Sequence, residues 1–245
     1  MITVKSQKEI QLMRESGKIL RDLLLLLESK LQIGMPTIEL DKIAYDFITK
    51  NGAKPSFLGY GGFPASICVS IDKQVVHGFP SDRLIKEGEI ISIDAGVYKN
   101  GFHADAARSF YVGKIDSEKK RLIDVTKESF FKGIEGIQEG SALGTIGYQV
   151  QSFVEANGFN VVREMVGHGI GKNLHEDPNV PNYGKKGVGI RLKSGMTLAV
   201  EPMVNMGTHK VILDGWKCDT QDGLPSAHYE NTILITADGV EILTL

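Results

Sequence analysis

The stretch from Ile90 to Phe110 constrains this chain most, because it specifies a supersecondary unit together with its register. Asn100-Gly101 is a strong two-residue hairpin signal, since both residues tolerate the positive φ of a type I′ turn. With that dipeptide as the loop, Lys99 faces Phe102, Tyr98 faces His103, and the pairing runs down to Asp94 opposite Ala107. Asp105 lies two residues from Ala107, so Asp94 and Asp105 share one face as diagonal neighbours, with Cβ atoms about 7 Å apart or less. Two carboxylates so placed repel. Burying like charges is costly unless something positive lies between them, either a metal pair or a shared proton. The alternative is that Asp94 flanks a turn while Asp105 faces water. Asp94 ends the apolar run Ile90, Ile91, Ile93, the mark of a buried strand, and this favours a site.

A chain of 245 residues, 42% hydrophobic, can bury one large core or two small ones. Its net charge of −2 shows no basic bias toward nucleic acid, and no charged tail or low-complexity run interrupts it. The longest apolar run, Leu23 to Leu27, falls far short of the ~20 residues that span a bilayer, so no membrane is expected. No apolar signal core follows Met1, which makes the cytoplasm the expected compartment. Cys68 and Cys218 match no zinc spacing and are expected to be free buried thiols.

From Ser6 to about Leu31, the residues Ile10, Leu12, Met13, Ile19, Leu20, Leu23, Leu24 and Leu27 recur at helical spacing, with Ser6 and Glu9 placed as a capping box. Gly34-Met-Pro36 breaks that helix. A second one runs from Thr37 to the stop at Asn51-Gly52, and Ile67–Ile71 and Ile90–Ala95 read as strands. The second half echoes the first. Gly34, Phe47 and Asn51-Gly52 recur at the same spacing as Gly140, Phe153 and Asn157-Gly158, and Lys86-Glu-Gly88 precedes Asp94 as Lys193-Ser-Gly195 precedes Glu201. His77-Gly-Phe-Pro80 likewise echoes His175-Glu-Asp-Pro178. Such a repeat predicts two halves packed about a pseudo-twofold axis, their strands forming one curved surface with acids at its centre and helices outside.

Val166-Gly-His168-Gly-Ile-Gly171 sets a histidine among glycines that permit close backbone approach. The glycine spacing does not fit a dinucleotide loop, no Gly-Lys-Ser or Gly-Lys-Thr occurs, and Pro178 disqualifies His175-Glu-Asp-Pro as a zinc-binding H-E-x-x-H helix. Glu201 ends the strand-like Met196–Val200, and Glu230 opens the β-rich run to Thr236. Singly, each glutamate reads as a solvated strand end. Together with Asp94, Asp105 and His168 they form a hard, mostly oxygen set suited to two divalent first-row metals.

These motifs, in order and spacing, resemble the methionine aminopeptidases of the bacterial type I form over essentially the whole chain. The resemblance rests on the Asp94–Asp105 hairpin, Gly-His168-Gly-Ile-Gly, Leu-His175-Glu-Asp-Pro, Val-Glu201-Pro-Met and Ala-His-Tyr-Glu230-Asn-Thr. It implies an α+β pita-bread fold: a curved antiparallel sheet with outer helices and internal pseudo-twofold symmetry, in one catalytic domain over 1–245 whose halves are about 1–115 and 116–245. It further implies that Asp94, Asp105, His168, Glu201 and Glu230 hold two divalent ions (cobalt, manganese, iron or zinc), with Asp105 and Glu230 bridging. The nucleophile is then a metal-bridged hydroxide. Glu201 acts as general base, His175 stabilises the oxyanion and His77 contacts the substrate. The methionine pocket falls to Phe57, Tyr60, Phe63, Cys68, Leu174, Met203 and Trp216. Phe57, Gly61 and Asn231 stand where other bacterial members carry Cys, His and His, which touches pocket shape but no ligand. The implied substrate is the N-terminal Met of nascent chains before a small residue, met near the ribosome by a monomer. Two rivals remain open: a proline-specific aminopeptidase or dipeptidase of this fold, which usually carries an added N-terminal domain, and an inactive peptide-binding module, which would have lost ligands.

Overall fold

The computed structural model describes residues 2–245. Helix α1 (Gln7–Lys30) starts on the expected capping box, with the Ser6 side chain accepting from the Glu9 N–H and the Glu9 carboxylate accepting from the Ser6 N–H. Helix α2 (Thr37–Lys50) ends at Asn51, and Gly52 takes the left-handed conformation that closes it. Short β1 (Lys54–Pro55), β2 (Ile67–Ile71) and β3 (Gln74–Val76) precede the long hairpin of β4 (Ile90–Lys99) and β5 (Phe102–Tyr111). Asn100 and Gly101 both have positive φ, and the register pairs Lys99 with Phe102 and Asp94 with Ala107, as the turn dipeptide dictates.

The second half opens with α3 (Ser117–Ile134), capped by the Asp116 carboxylate, and α4 (Gly144–Ala156). Strands β6 (Asn160–Val161), β7 (Gly167–Gly169), β8 (Glu176–Val180), β9 (Thr197–Val200) and β10 (Met203–Asn205) follow. The hairpin β11 (Val211–Asp214) and β12 (Lys217–Thr220) comes next, then β13 (Ser226–His228), β14 (Asn231–Ile235) and β15 (Val240–Ile242). Every strand pairing is antiparallel. The first half contributes the β1-β4-β2 sheet with β5 on β4, and the second half contributes β15-β14-β9-β7-β8.

The internal echo is visible as matched hydrogen bonds. Gly34 N–H donates to Ile85 O at 2.8 Å and Gly140 N–H to Leu192 O at 2.9 Å. The bridge Pro36–Leu84 recurs as Ala142–Arg191, and the Asn51 and Asn157 side chains donate to Phe47 O and Phe153 O at 2.8 Å each. Gly88 and Gly195, before the two acid-bearing strands, both require positive φ.

Each half buries its own helix–sheet core. Leu20, Leu23, Leu27, Leu40 and Ile48 of α1 and α2 pack on Ile67, Ile91, Ile93 and Val97, each side chain being worth about 1.5–3 kcal/mol when fully buried. Phe130, Ile146, Leu198, Val200, Ile233 and Ile235 do the same in the second half. The halves are then stitched along β5. Thr232 Oγ1 accepts from Asp105 N–H at 2.9 Å, Ala107 and Glu230 exchange both backbone bonds at 3.3 and 3.0 Å, and Ser109 Oγ accepts from His228 N–H at 2.8 Å. This antiparallel seam carries Asp105 and Glu230 side by side. No helix among the described residues is long and apolar enough to cross a membrane. Cys68 and Cys218 are free and buried.

Candidate metal centre

Five elements deliver the polar residues to one place. Asp94 comes from the middle of β4, Asp105 from β5, His168 from β7, Glu201 from the residue after β9, and Glu230 from the link between β13 and β14. All five line a single cavity of about 70 Å³. Asp105, His168 and Glu230 each offer one donor atom within 4.8 Å of the other two. His168 Nε2 lies 3.7 Å from Glu201 Oε1 and 4.0 Å from Asp105 Oδ2.

The electrostatics of this cluster are unstable without a cation. Burial pushes the Asp94 carboxyl up to about 7, although its hydrogen bond with Asp105 opposes the shift. Burial, and then the neighbouring carboxylates, push Asp105 and Glu230 well above the carboxylate range, and burial followed by Asp94 does the same to Glu201. Asp94 Oδ1, Asp105 Oδ1 and Glu230 Oε1 are buried with no hydrogen-bond partner. Orphaned acceptors of this kind cost about 1–3 kcal/mol each, more when charged. Burial holds His168 down to about 4, so its ring is neutral, and Nδ1–H donates to Gly169 O at 2.9 Å. That bond turns the bare Nε2 lone pair toward the acids, and separations of 3.7 and 4.0 Å are too long for a shared proton and leave room for a cation between them. Four carboxylates, a fixed imidazole lone pair and unmet acceptors fit divalent metal ions.

The glycines around His168 are steric requirements. A Cβ on Gly169 would stand 2.1 Å from Asp177 O, and one on Gly167 would stand 2.3 Å from Ala199 O. Gly169→Ala is therefore expected to destabilise the protein by about 1–3 kcal/mol through overpacking and to shift His168. A denaturant melt indistinguishable from wild type would refute this.

An apolar pocket adjoins the acids. Phe57, Tyr60, Phe63, Cys68, His77, Leu174, His175 and Trp216 line the same cavity. Phe63 meets Trp216 edge-on at 5.4 Å and Phe57 at 6.4 Å. Cys68 is the cross-strand partner of Asp94, and burial followed by that carboxylate pushes its thiol up. Trp216 arrives from the tip of the β11–β12 hairpin and stands edge-on to His77 at 5.6 Å. His175 Nδ1 is 2.7 Å from Tyr60 Oη, and its ring lies 4.2 Å from that of His168. Met203 is not in this lining. It is fully buried among Val75, Val76, Val162 and Cys218, because β10 turns its side chain into a separate small core.

One polar residue here escapes sequence reading. His228 is buried, its Nε2 has no partner, and it lies 3.8 Å from Glu201 Oε2. Burial holds its ring down to about 3. The available signal was its position two residues before Glu230, on the same face of the extended segment.

Residues 11–237 match metallopeptidase family M24. The chain belongs to that family. It is 56% identical to the methionine aminopeptidase of Clostridium perfringens, with 100% of this chain and 99% of that one covered. The crystal structure of methionine aminopeptidase from Rickettsia prowazekii superposes with a TM-score of 0.98 at 42% identity, covering 100% of both chains. The prolidase of Pyrococcus furiosus shares the fold alone, with a TM-score of 0.82 at 22% identity over 99% of this chain and 65% of that one. The pita-bread fold expected from the motifs is thus the fold of this M24 chain, and as a metallopeptidase it works with divalent metal.

Proposed function

We propose that this M24 metallopeptidase removes the N-terminal methionine from peptides and nascent proteins, preferring a small second residue. One observation carries the reading: the acid cluster forms one wall of a cavity lined otherwise by Phe57, Tyr60, Phe63, Cys68, Leu174 and Trp216 together with His77 and His175. An unbranched apolar side chain with a polarisable sulfur suits that lining. A residue seated there presents its own α-amine and first peptide bond to the carboxylates, the geometry of an exopeptidase.

In this reading Asp94, Asp105, His168, Glu201 and Glu230 would hold two divalent ions, manganese, iron, cobalt or zinc. When bound, such a metal pair lowers the pKa of a water and polarises the scissile carbonyl. Glu201 takes the proton from the attacking water and returns it to the leaving amine. With Tyr60 O–H donating to His175 Nδ1, 2.7 Å away, His175 would carry its proton on Nε2 and would donate it to the oxyanion as it forms. His77, braced edge-on by Trp216, contacts the substrate beside the scissile bond. In this reading the cleft is crowded past that bond, as the family resemblance implies, which limits the second residue to Gly, Ala or Ser.

The reading makes 1–245 one catalytic domain of two halves, about 1–115 and 116–245, supported by the matched glycine and asparagine hydrogen bonds. It sets the reaction in the cytoplasm, performed by a monomer on chains leaving the ribosome.

The test compares release of the first residue from Met-Ala-Ser and Ala-Pro-Ala by metal-stripped protein, before and after Mn²⁺, Fe²⁺ or Co²⁺ is returned. Metal-dependent release of Met alone is expected. Cleavage only before proline would move the assignment to the proline-specific relatives, and metal binding without cleavage would favour a binding module. Met-Gly peptides are expected to exceed Met-Lys peptides in kcat/KM by more than about tenfold, a 1.4 kcal/mol difference. Equal rates would contradict the crowded second subsite.

A further inference from the structure

Arg108 lies on β5 with its side chain on the outer face of the sheet, opposite the acids. Its guanidinium is largely buried, and its hydrogen bonds go to carbonyl or amide oxygens. Nη1 donates to Ala107 O at 2.8 Å and to Glu230 O, and Nη2 donates to the Asn231 side-chain oxygen at 2.7 Å and, more weakly, to Thr244 O at 3.4 Å. Ala107 O and Glu230 O are the two carbonyls that already bond across the seam, each accepting the N–H of the other residue. A carbonyl has two acceptor lone pairs, so Arg108 fills the second on both and spans the seam from behind. Tyr229 stacks on the guanidinium at 4.3 Å, and Thr244 Oγ1 donates to the same Asn231 oxygen at 2.9 Å. The fork is thus held from three sides.

The geometry points to Arg108 as a positioning residue for Glu230, clamping the second-half carboxylate at a set distance from the first-half Asp94 and Asp105. This rests on Glu230 and the two aspartates being the metal ligands. The clamp works through geometry. Ala107 is the partner of Asp94 across the hairpin and lies two residues from Asp105, so fixing Ala107 against Glu230 fixes both halves of the donor set. The fork places Nη1 on both seam carbonyls and Nη2 on the Asn231 oxygen, a spread of acceptors that the compact ammonium of a lysine does not cover in one geometry. Arg108 also forms part of the wall of an outer cavity of about 420 Å³ between α1 and α3. That opening lets a small cation reach the clamp position without passing through the active site.

The experiment compares wild type, Arg108→Lys and Arg108→Ala by calorimetric titration with Mn²⁺, by kcat and KM on Met-Ala-Ser, and by thermal melting. Arg108→Ala is expected to lose metal affinity and kcat by about 10- to 100-fold, the range for removing a partner that orients a ligand, while KM for the peptide stays near wild type. Arg108→Lys is expected to fall between the two. Guanidinium ion, far below unfolding concentrations, is expected to restore part of the affinity and kcat of Arg108→Ala and to leave Glu230→Ala unchanged. If Arg108→Ala does not fold, Arg108→Lys decides. A lysine variant with wild-type Mn²⁺ affinity overturns the proposal, as does an alanine variant that loses melting temperature alone or gains nothing from guanidinium. Wild-type protein that binds Mn²⁺ but releases no methionine sinks the functional reading, while the titrations still decide the role of Arg108.

Discussion

Glu201→Gln is expected to lower kcat for methionine release by about 10²- to 10⁴-fold, the usual worth of a general base, with a smaller change in KM. Glu201 ends β9 at a proline, its carboxylate lies 3.7 Å from the His168 ring nitrogen and 3.8 Å from that of His228, and burial raises its proton affinity. Glutamine keeps the shape and one acceptor oxygen but cannot take a proton. Metal affinity, measured beside kcat, separates loss of a base from loss of a ligand. Near-normal turnover in this variant, together with undiminished metal binding in His168→Ala, would remove the assignment of the site.

Stripping the metal is expected to destabilise the protein, and to do so more as the pH rises. The sign follows from the carboxyls. Without metal, Asp94 is pushed up to about 7 and Asp105, Glu201 and Glu230 well above their unfolded values, so the folded state holds these protons longer than the unfolded chain does. Their contribution is fully present below about pH 4 and is lost as pH climbs through the folded values. At about 1.4 kcal/mol per pKa unit, the coupled carboxyls together account for a loss of several kcal/mol across that window. Bound metal takes the place of the protons and removes the penalty. Melting curves of loaded and stripped protein should therefore diverge between about pH 4 and pH 7, reaching a gap of about 10 °C at the upper end. A gap that stays constant or narrows with rising pH would mean that these carboxyls are not buried together.

The hairpin was legible because its turn residues and its side-chain period are both local. Asn100-Gly101 admits one register, and that register put Asp94 and Asp105 on one face before any contact was known. Helix α1 was legible for the same reason, from a cap at Ser6 and an apolar stripe. The pseudo-twofold was legible through glycines, since Gly34, Gly52, Gly88, Gly140, Gly158 and Gly195 recur where the backbone demands positive φ. Met203 shows the limit. The family resemblance put it in the pocket, yet one strand position decides which face a side chain takes, and β10 directs it into another core.

The sequence by itself determined the turn, the capped first helix, the strand-end acids and the family motifs, because each depends on neighbours a few residues away or on recognisable spacing. Only the tertiary structure decided that Asp105 meets Glu230 across a seam, that His228 faces Glu201, and that Arg108 closes the seam from outside. The first and last of those contacts join residues more than a hundred positions apart. No local propensity encodes them; they follow from how the two halves meet, along β5 and again where β3 pairs with β12.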